Sequence, residues 1–144
     1  MTQEDKELLL KDLSARLPYG VKVAIEYSEG KYTRIYDLRE IDNDTTSELR
    51  QQVTVWNYGF YSSVISYPII DCRPYLRPMS SMTVKEKNEF EEILEGYDEG
   101  NNPFDGFSFG SDTDWLNAHH FDYRGLILKG LALEAPDGMY KEEQ

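Results

Sequence analysis

Between two stretches that start helices lies a run of sequence whose apolar residues recur at every second position. That arrangement limits the fold more than any other feature. Val21, Val23, Ile25 and Tyr27 alternate with Lys22, Ala24 and Glu26. Successive strand side chains point to opposite faces, so the pattern describes a half-buried β-strand. Residues 28–31 read as a hairpin loop in which Gly30 supplies a positive φ. A second strand is expected over residues 32–38, a third over 53–58 and a fourth over 61–70, with Gly59 at the turn between the last two. Connections this short join antiparallel neighbours. Residues 41–51 are rich in Asp, Asn and Thr and read as a surface loop.

The flanking helices carry their own start signals. Thr2 can cap the first helix with Asp5 as the reciprocal partner, and Leu8, Leu9, Leu13 and Leu17 follow at helical spacing until Pro18 and Gly20 stop it. Thr83 and Glu86 form a second capping box, ahead of Phe90, Ile93, Leu94 and Tyr97 at i, i+3, i+4 and i+7. Asp112 or Thr113 can cap a short helix through Trp115, Leu116 and His119. Asp122 can cap another that ends on a left-handed Gly130. Residues 131–133 suit a last strand.

Pro74 and Pro78 make residues 72–78 a non-helical strap, expected to run as an extended, polyproline-like path along the sheet. The resulting fold class is α+β: an N-terminal helix, a three- or four-stranded antiparallel sheet, and short C-terminal helices packed on one face. A chain of 144 residues, 40% hydrophobic and 13% aromatic, can bury a core of its own and is expected to be a single domain over residues 1–144, with 136–144 as a loose tail apart from Met139 and Tyr140, which can dock.

Charge narrows the partners. The chain carries a formal −12, from 27 acids and 15 bases. Residues 86–114 hold ten acids against Lys87 alone, which places nine of those twelve charges on one helix and the loop after it. Residues 1–40, with eight acids and seven bases, are nearly neutral. Direct nucleic-acid binding is not expected of such a chain. A solvated face is the ordinary reading, and a docking surface for a basic protein partner is the sharper one, with Glu89, Glu92, Asp98, Glu99 and Asp105 as its residues. The other candidate surface is aromatic. Tyr27, Tyr32, Tyr36, Trp56, Tyr58, Phe60, Tyr61 and Tyr67 fall on or beside the expected strands, where they either share a core with the helices or, as with Trp56 and Tyr58, form an interaction patch.

Catalytic chemistry has few places to reside. The only histidines, His119 and His120, stand beside Asp122, with Asp112 and Asp114 upstream. An imidazole paired with a carboxylate is the usual general acid–base couple, so His119, His120 and Asp122 are the candidate set of a small hydrolase. The local alternative is that the histidines end one helix, where its dipole favours positive charge, and Asp122 caps the next. Cys72 is the single cysteine. It excludes an internal disulfide, suits a reducing compartment and reads as a small core residue. Adjacent histidines on a helix point about 100° apart and cannot chelate together. Residues 98–109 fail the calcium-loop pattern at Gly100, Pro103 and Phe109. Neither metal nor cofactor is expected. Residues 1–18 contain no apolar run longer than Leu8-Leu9-Leu10, which reads as neither signal peptide nor membrane span, so a cytoplasmic setting is expected.

Two segments carry a resemblance. Residues 70–83 (IDCRPYLRPMSSMT) and 114–127 (DWLNAHHFDYRGLI), together with the opening helix, resemble small uncharacterised proteins of Bacteroides-type gut bacteria and their prophages or mobile elements. The resemblance implies a bacterial, phage-derived cytoplasmic setting and carries over no activity and no functional residue. The function expected is a non-enzymatic protein-interaction or accessory role, with the hydrolase and a nucleic-acid mimic as alternatives.

Overall fold

The computed structural model describes residues 1–27, 32–43, 51–58, 62–98 and 111–140. Helix α1 spans Gln3–Arg16, and the capping box at its start is closed. Thr2 Oγ1 accepts from the Asp5 amide at 3.0 Å, and Asp5 Oδ2 accepts from the Thr2 amide at 3.3 Å. Strands follow at Lys22–Tyr27 (β1), Tyr32–Asn43 (β2), Gln51–Tyr58 (β3), Ser62–Pro68 (β4) and Cys72–Pro78 (β5). Helices α2 (Val84–Asp98) and α3 (Ser111–Ala118) come next, then the short strands β6 (Phe121–Asp122) and β7 (Leu133–Glu134).

The fold is α+β, and the described residues form one mixed seven-stranded sheet, ordered β4-β3-β2-β1-β5-β6, with β7 also on β5. This corrects the expected three or four antiparallel strands. The β1–β4 meander is antiparallel as expected. The difference lies in residues 72–78, which form a strand rather than a polyproline strap. Proline removes a donor from the ladder, but the bonding here falls on its neighbours. Arg77 N donates to His120 O at 2.7 Å, and Ala135 N donates to Leu76 O at 2.7 Å. Thus β5 pairs antiparallel with β1 and parallel with both β6 and β7. The ends of the expected 41–51 loop are also strand, since β2 runs to Asn43 and β3 starts at Gln51.

One bulge explains how β2 stays in register with the core. Tyr36 and Leu38 face inward, and alternation would next bring in Glu40. The pairing shifts between Leu38 and Glu40, so Ile41 instead lies opposite Val53 while Leu38 lies opposite Val55. An extra residue re-aims the side chains after it, and here it keeps a carboxylate out of the core. The inner face is closed by Leu9, Leu10 and Leu13 of α1 and by Leu126, Leu131 and Ala132 from the C-terminal segment. Full burial of each large aliphatic side chain contributes about 1.5–3 kcal/mol.

Helix α2 is joined to β5 by charge. Thr83 and Glu86 close the second capping box, with Glu86 N donating to Thr83 Oγ1 at 3.1 Å and Thr83 N to Glu86 Oε1 at 2.9 Å. The same carboxylate takes both arms of Arg77 at 2.7 Å each. Arg77 foremost, and then Thr83, hold the Glu86 carboxyl down to about 2 from 4.5, against the opposing effect of its burial. A lowered native pKa means that the contribution is complete above pH 4.5 and is lost as pH falls toward 2. Glu86→Gln should cost about 2–3 kcal/mol at pH 7, since a charge-assisted pair and a half-buried arginine lose their partner. Chemical denaturation from pH 7 to pH 2 should show that difference shrinking below pH 4.5.

Candidate functional site

The C-terminal segment gathers most of the polar chemistry, and its anchor is a charge buried in α1. Asp12 and Arg16 lie one turn apart on the face that also carries Leu9 and Leu13, and both side chains have zero exposure. Asp12 Oδ2 accepts from Arg16 Nε at 2.8 Å, and Oδ1 accepts from Arg124 Nη1 at 2.8 Å. Arg16 Nη2 reaches across to Phe121 O at 2.6 Å. Both guanidinium groups also lie against the Tyr123 ring, at 5.4 Å and 4.6 Å from its centroid. One carboxylate thus holds two arginines, and through them the segment that bears the histidines.

His119 and His120 occupy different environments. His119, at the end of α3, stacks on Trp115 at 4.0 Å and shares an aromatic group with Phe90 and Phe121. Its Nδ1–H donates to Trp115 O at 2.9 Å, which fixes the tautomer. His120 follows with φ of 64°, the left-handed turn that lets the chain leave α3 and enter β6. Its ring is buried and stacked at 3.6 Å on Tyr140. Burial first, and then the charge of Arg16, push its pKa down to about 4, so the ring is neutral at pH 7.

Asp122 holds backbone amides that follow it. Its two oxygens accept from Leu126 N and Ile127 N, at 2.9 Å each. The expected capping role is therefore present, although it closes a series of turns rather than a helix. Those turns end as the sequence suggested. Gly130 has φ of 76° and its amide bonds Ile127 O at 3.0 Å, while Leu131 N bonds Leu126 O at 2.9 Å. This is the doubly bonded left-handed terminus that glycine favours. Cys72 is fully buried, and burial pushes its thiol pKa up, far from thiolate chemistry at neutral pH.

Tyr140 completes the clasp. Its hydroxyl accepts from Lys22 N at 2.8 Å and donates to Tyr75 O at 2.8 Å, so it bridges β1 and β5. Residues 136–140 therefore dock on the sheet through one aromatic anchor. A groove of about 390 Å³ opens beside it, lined by Arg77, Thr83, Glu86, Asp137 and Tyr140 among others. None of His119, His120, Asp122 and Cys72 lines this groove.

The surface candidates fall into two places. Glu92 is exposed on α2, Glu89 is half-buried and Asp98 is the last residue of that helix. Glu99 and Asp105 lie outside the described residues, as do residues 99–109 of the stretch that fails the calcium-loop pattern. Trp56 is exposed on the outer face of β3 with the Arg39 guanidinium 5.0 Å from its ring centre, and Tyr58 stands opposite Ser62 at the end of that strand. Tyr36 and Tyr67 instead turn inward, their rings 5.9 Å apart. Among the described residues, no group of three or more His, Cys, Asp or Glu side chains could hold a metal ion. No helix of the described residues is long and apolar enough to cross a membrane.

Compared with models of known families, with curated proteins and with solved structures, the chain matches none.

The residues that sequence reasoning passed over are Asp12, Arg16, Arg77 and Arg124. A signal existed for the first two, since charged residues at i and i+4 inside a leucine stripe are out of place unless they pair. His120→Asn tests the reading of the second histidine. Asparagine tolerates the left-handed backbone but forfeits the stack on Tyr140, and should cost about 1 kcal/mol at pH 7. A His pKa lowered on folding gives stability that is complete above pH 6.5 and is lost as pH falls toward 4. The wild type should therefore weaken across that window in denaturation experiments, and the variant should be spared this part of the loss.

Proposed function

We propose that the protein is a non-enzymatic accessory factor of a bacterial phage or mobile element, working in the cytoplasm, that presents the outer face of α2 to a basic protein partner. The observation that carries this reading is the mismatch between α2 and its own charges. At 100° per residue, Glu86, Phe90 and Ile93 turn toward the body of the protein, while Val84, Lys87, Asn88, Glu91, Leu94 and Glu95 turn outward. All six outward residues are exposed, including Val84 at 75% and Leu94 at 40%. The last turn holds acids and no basic residue, although a helix C-terminus favours cations. An incoming lysine- or arginine-rich segment would relieve that mismatch and cover the two exposed aliphatic side chains.

The commitments of the other candidates favour binding over catalysis. The His120 ring is stacked and neutral, the Asp122 oxygens hold backbone amides, and Cys72 is sealed in the core. None of them lines the described groove.

The test is affinity capture from the native host at low and high salt, with wild type and a Glu91→Lys/Glu95→Lys variant. A basic partner should be recovered at low salt, lost at high salt because exposed charges are screened, and lost with the variant at any salt. Equal recovery by wild type and variant would refute the reading.

A further inference from the structure

The opposite side of the molecule has a different character. Residues 51–70 contain no Asp, Glu, Lys or Arg, in a chain that is 29% charged. Those residues build β3 and β4, and β4 is the last strand of the sheet. Among the described residues β4 pairs only with β3, so no described strand takes up the backbone donors and acceptors of its other edge. Soluble proteins ordinarily defend such an edge with lysine, an inward charge, an interior proline or a bulge. Strand β4 has none of these: its one proline, Pro68, is its final residue, and its pairing with β3 runs without a register shift. The outer face of β3 and β4 carries a hydrogen-bonded Thr54–Ser66 pair beside an apolar one. Val64, on β4, lies opposite Trp56, and both are exposed, at 44% and 38%. Ile35 on β2 and Ile70 just beyond β4 are exposed at 53% and 52%.

We propose that β4 is a pairing edge for a second copy of this chain, giving a two-fold dimer with one sheet continuous across both protomers. Charge selects the occupant. Two molecules that each carry −12 repel one another over most approaches, and the acid is concentrated in residues 86–114. The uncharged hairpin is where two copies approach without bringing like charges together. An antiparallel strand pair has two-fold symmetry, so the same edge serves both partners and the assembly closes at two. Seven residues of edge and a few exposed aliphatic and aromatic side chains make a small interface, so the dimer forms by mass action at high protein concentration. Its salt response is opposite to that of a partner on α2, because screening lowers the repulsion between protomers and leaves the neutral contact untouched.

Sedimentation velocity on the full chain, over a concentration series at low and high salt, tests this. The mass should rise from 16.8 kDa toward twice that value as concentration increases, and at lower concentration when salt is raised. Val64→Lys and, separately, Ser66→Lys each place the missing charge on β4 and should keep the protein monomeric, with unchanged circular dichroism. Hydrogen exchange on the wild type requires no variant: amides of β4 should gain protection with concentration while those of β1 do not. A wild type that stays monomeric throughout, an oligomer that grows beyond two, or a dimer that both lysine variants retain would each overturn the proposal. These outcomes leave the reading of α2 unaffected.

Discussion

One buried carboxylate decides how the two ends of this chain meet. Asp12 sits at zero exposure in α1 and takes one hydrogen bond from Arg16 of its own helix and another from Arg124, more than a hundred residues away. Arg16 continues the chain of contacts to the Phe121 carbonyl, at the start of the strand that pairs with β5. Ions removed from water are stable only when they are paired and hydrogen-bonded, and losing one partner of a buried pair costs about 3–5 kcal/mol. The C-terminal segment therefore has a strong reason to lie where it does. From that placement follow the left-handed turn at His120, the cap made by Asp122 and the docking of Tyr140 across β1 and β5.

This arrangement bears on function because His120, Asp122 and Cys72 have structural employment. An acid–base couple requires an imidazole that can take and release a proton next to a reacting atom. His120 is neutral and stacked, while the Nδ1 of His119 is held by a carbonyl within an aromatic cluster. Among the described residues two surfaces stand out: a carboxylate-rich helix face with exposed aliphatic residues, and a neutral strand edge, β4, that no other described strand pairs. In the two proposals these surfaces take different partners, and their binding would respond to salt in opposite directions.

Much of the local structure was legible in the sequence. Both capping boxes, the β1–β4 meander and the left-handed end at Gly130 follow from short-range chemistry that a few adjacent residues specify. The role of β5 was not legible, because Pro74 and Pro78 argue against a ladder and only the remote partners β6 and β7 show which neighbouring groups bond instead. The bulge at residues 38–40 was hidden for a similar reason, since its purpose appears only once Val53 and Val55 lie opposite it. At the candidate site the sequence offered His119, His120 and Asp122 together, and the structure gives each of them a different set of neighbours. A turn at positive φ separates the two rings, and the Asp122 carboxylate points to amides that follow it. The charges that matter most, Asp12 with Arg16 and Arg124, join positions too distant for any local pattern to connect.

Native-state hydrogen exchange on the wild type and on Asp12→Asn tests the central claim most directly. If the buried carboxylate ties the two ends together, the amides of Leu126, Leu131 and Ala135 exchange only through the same global opening as those of β1. Asp12→Asn then lowers the opening free energy of both groups by the same amount. A C-terminal segment that opens on its own at much lower free energy, and that Asp12→Asn leaves unchanged, would contradict the account.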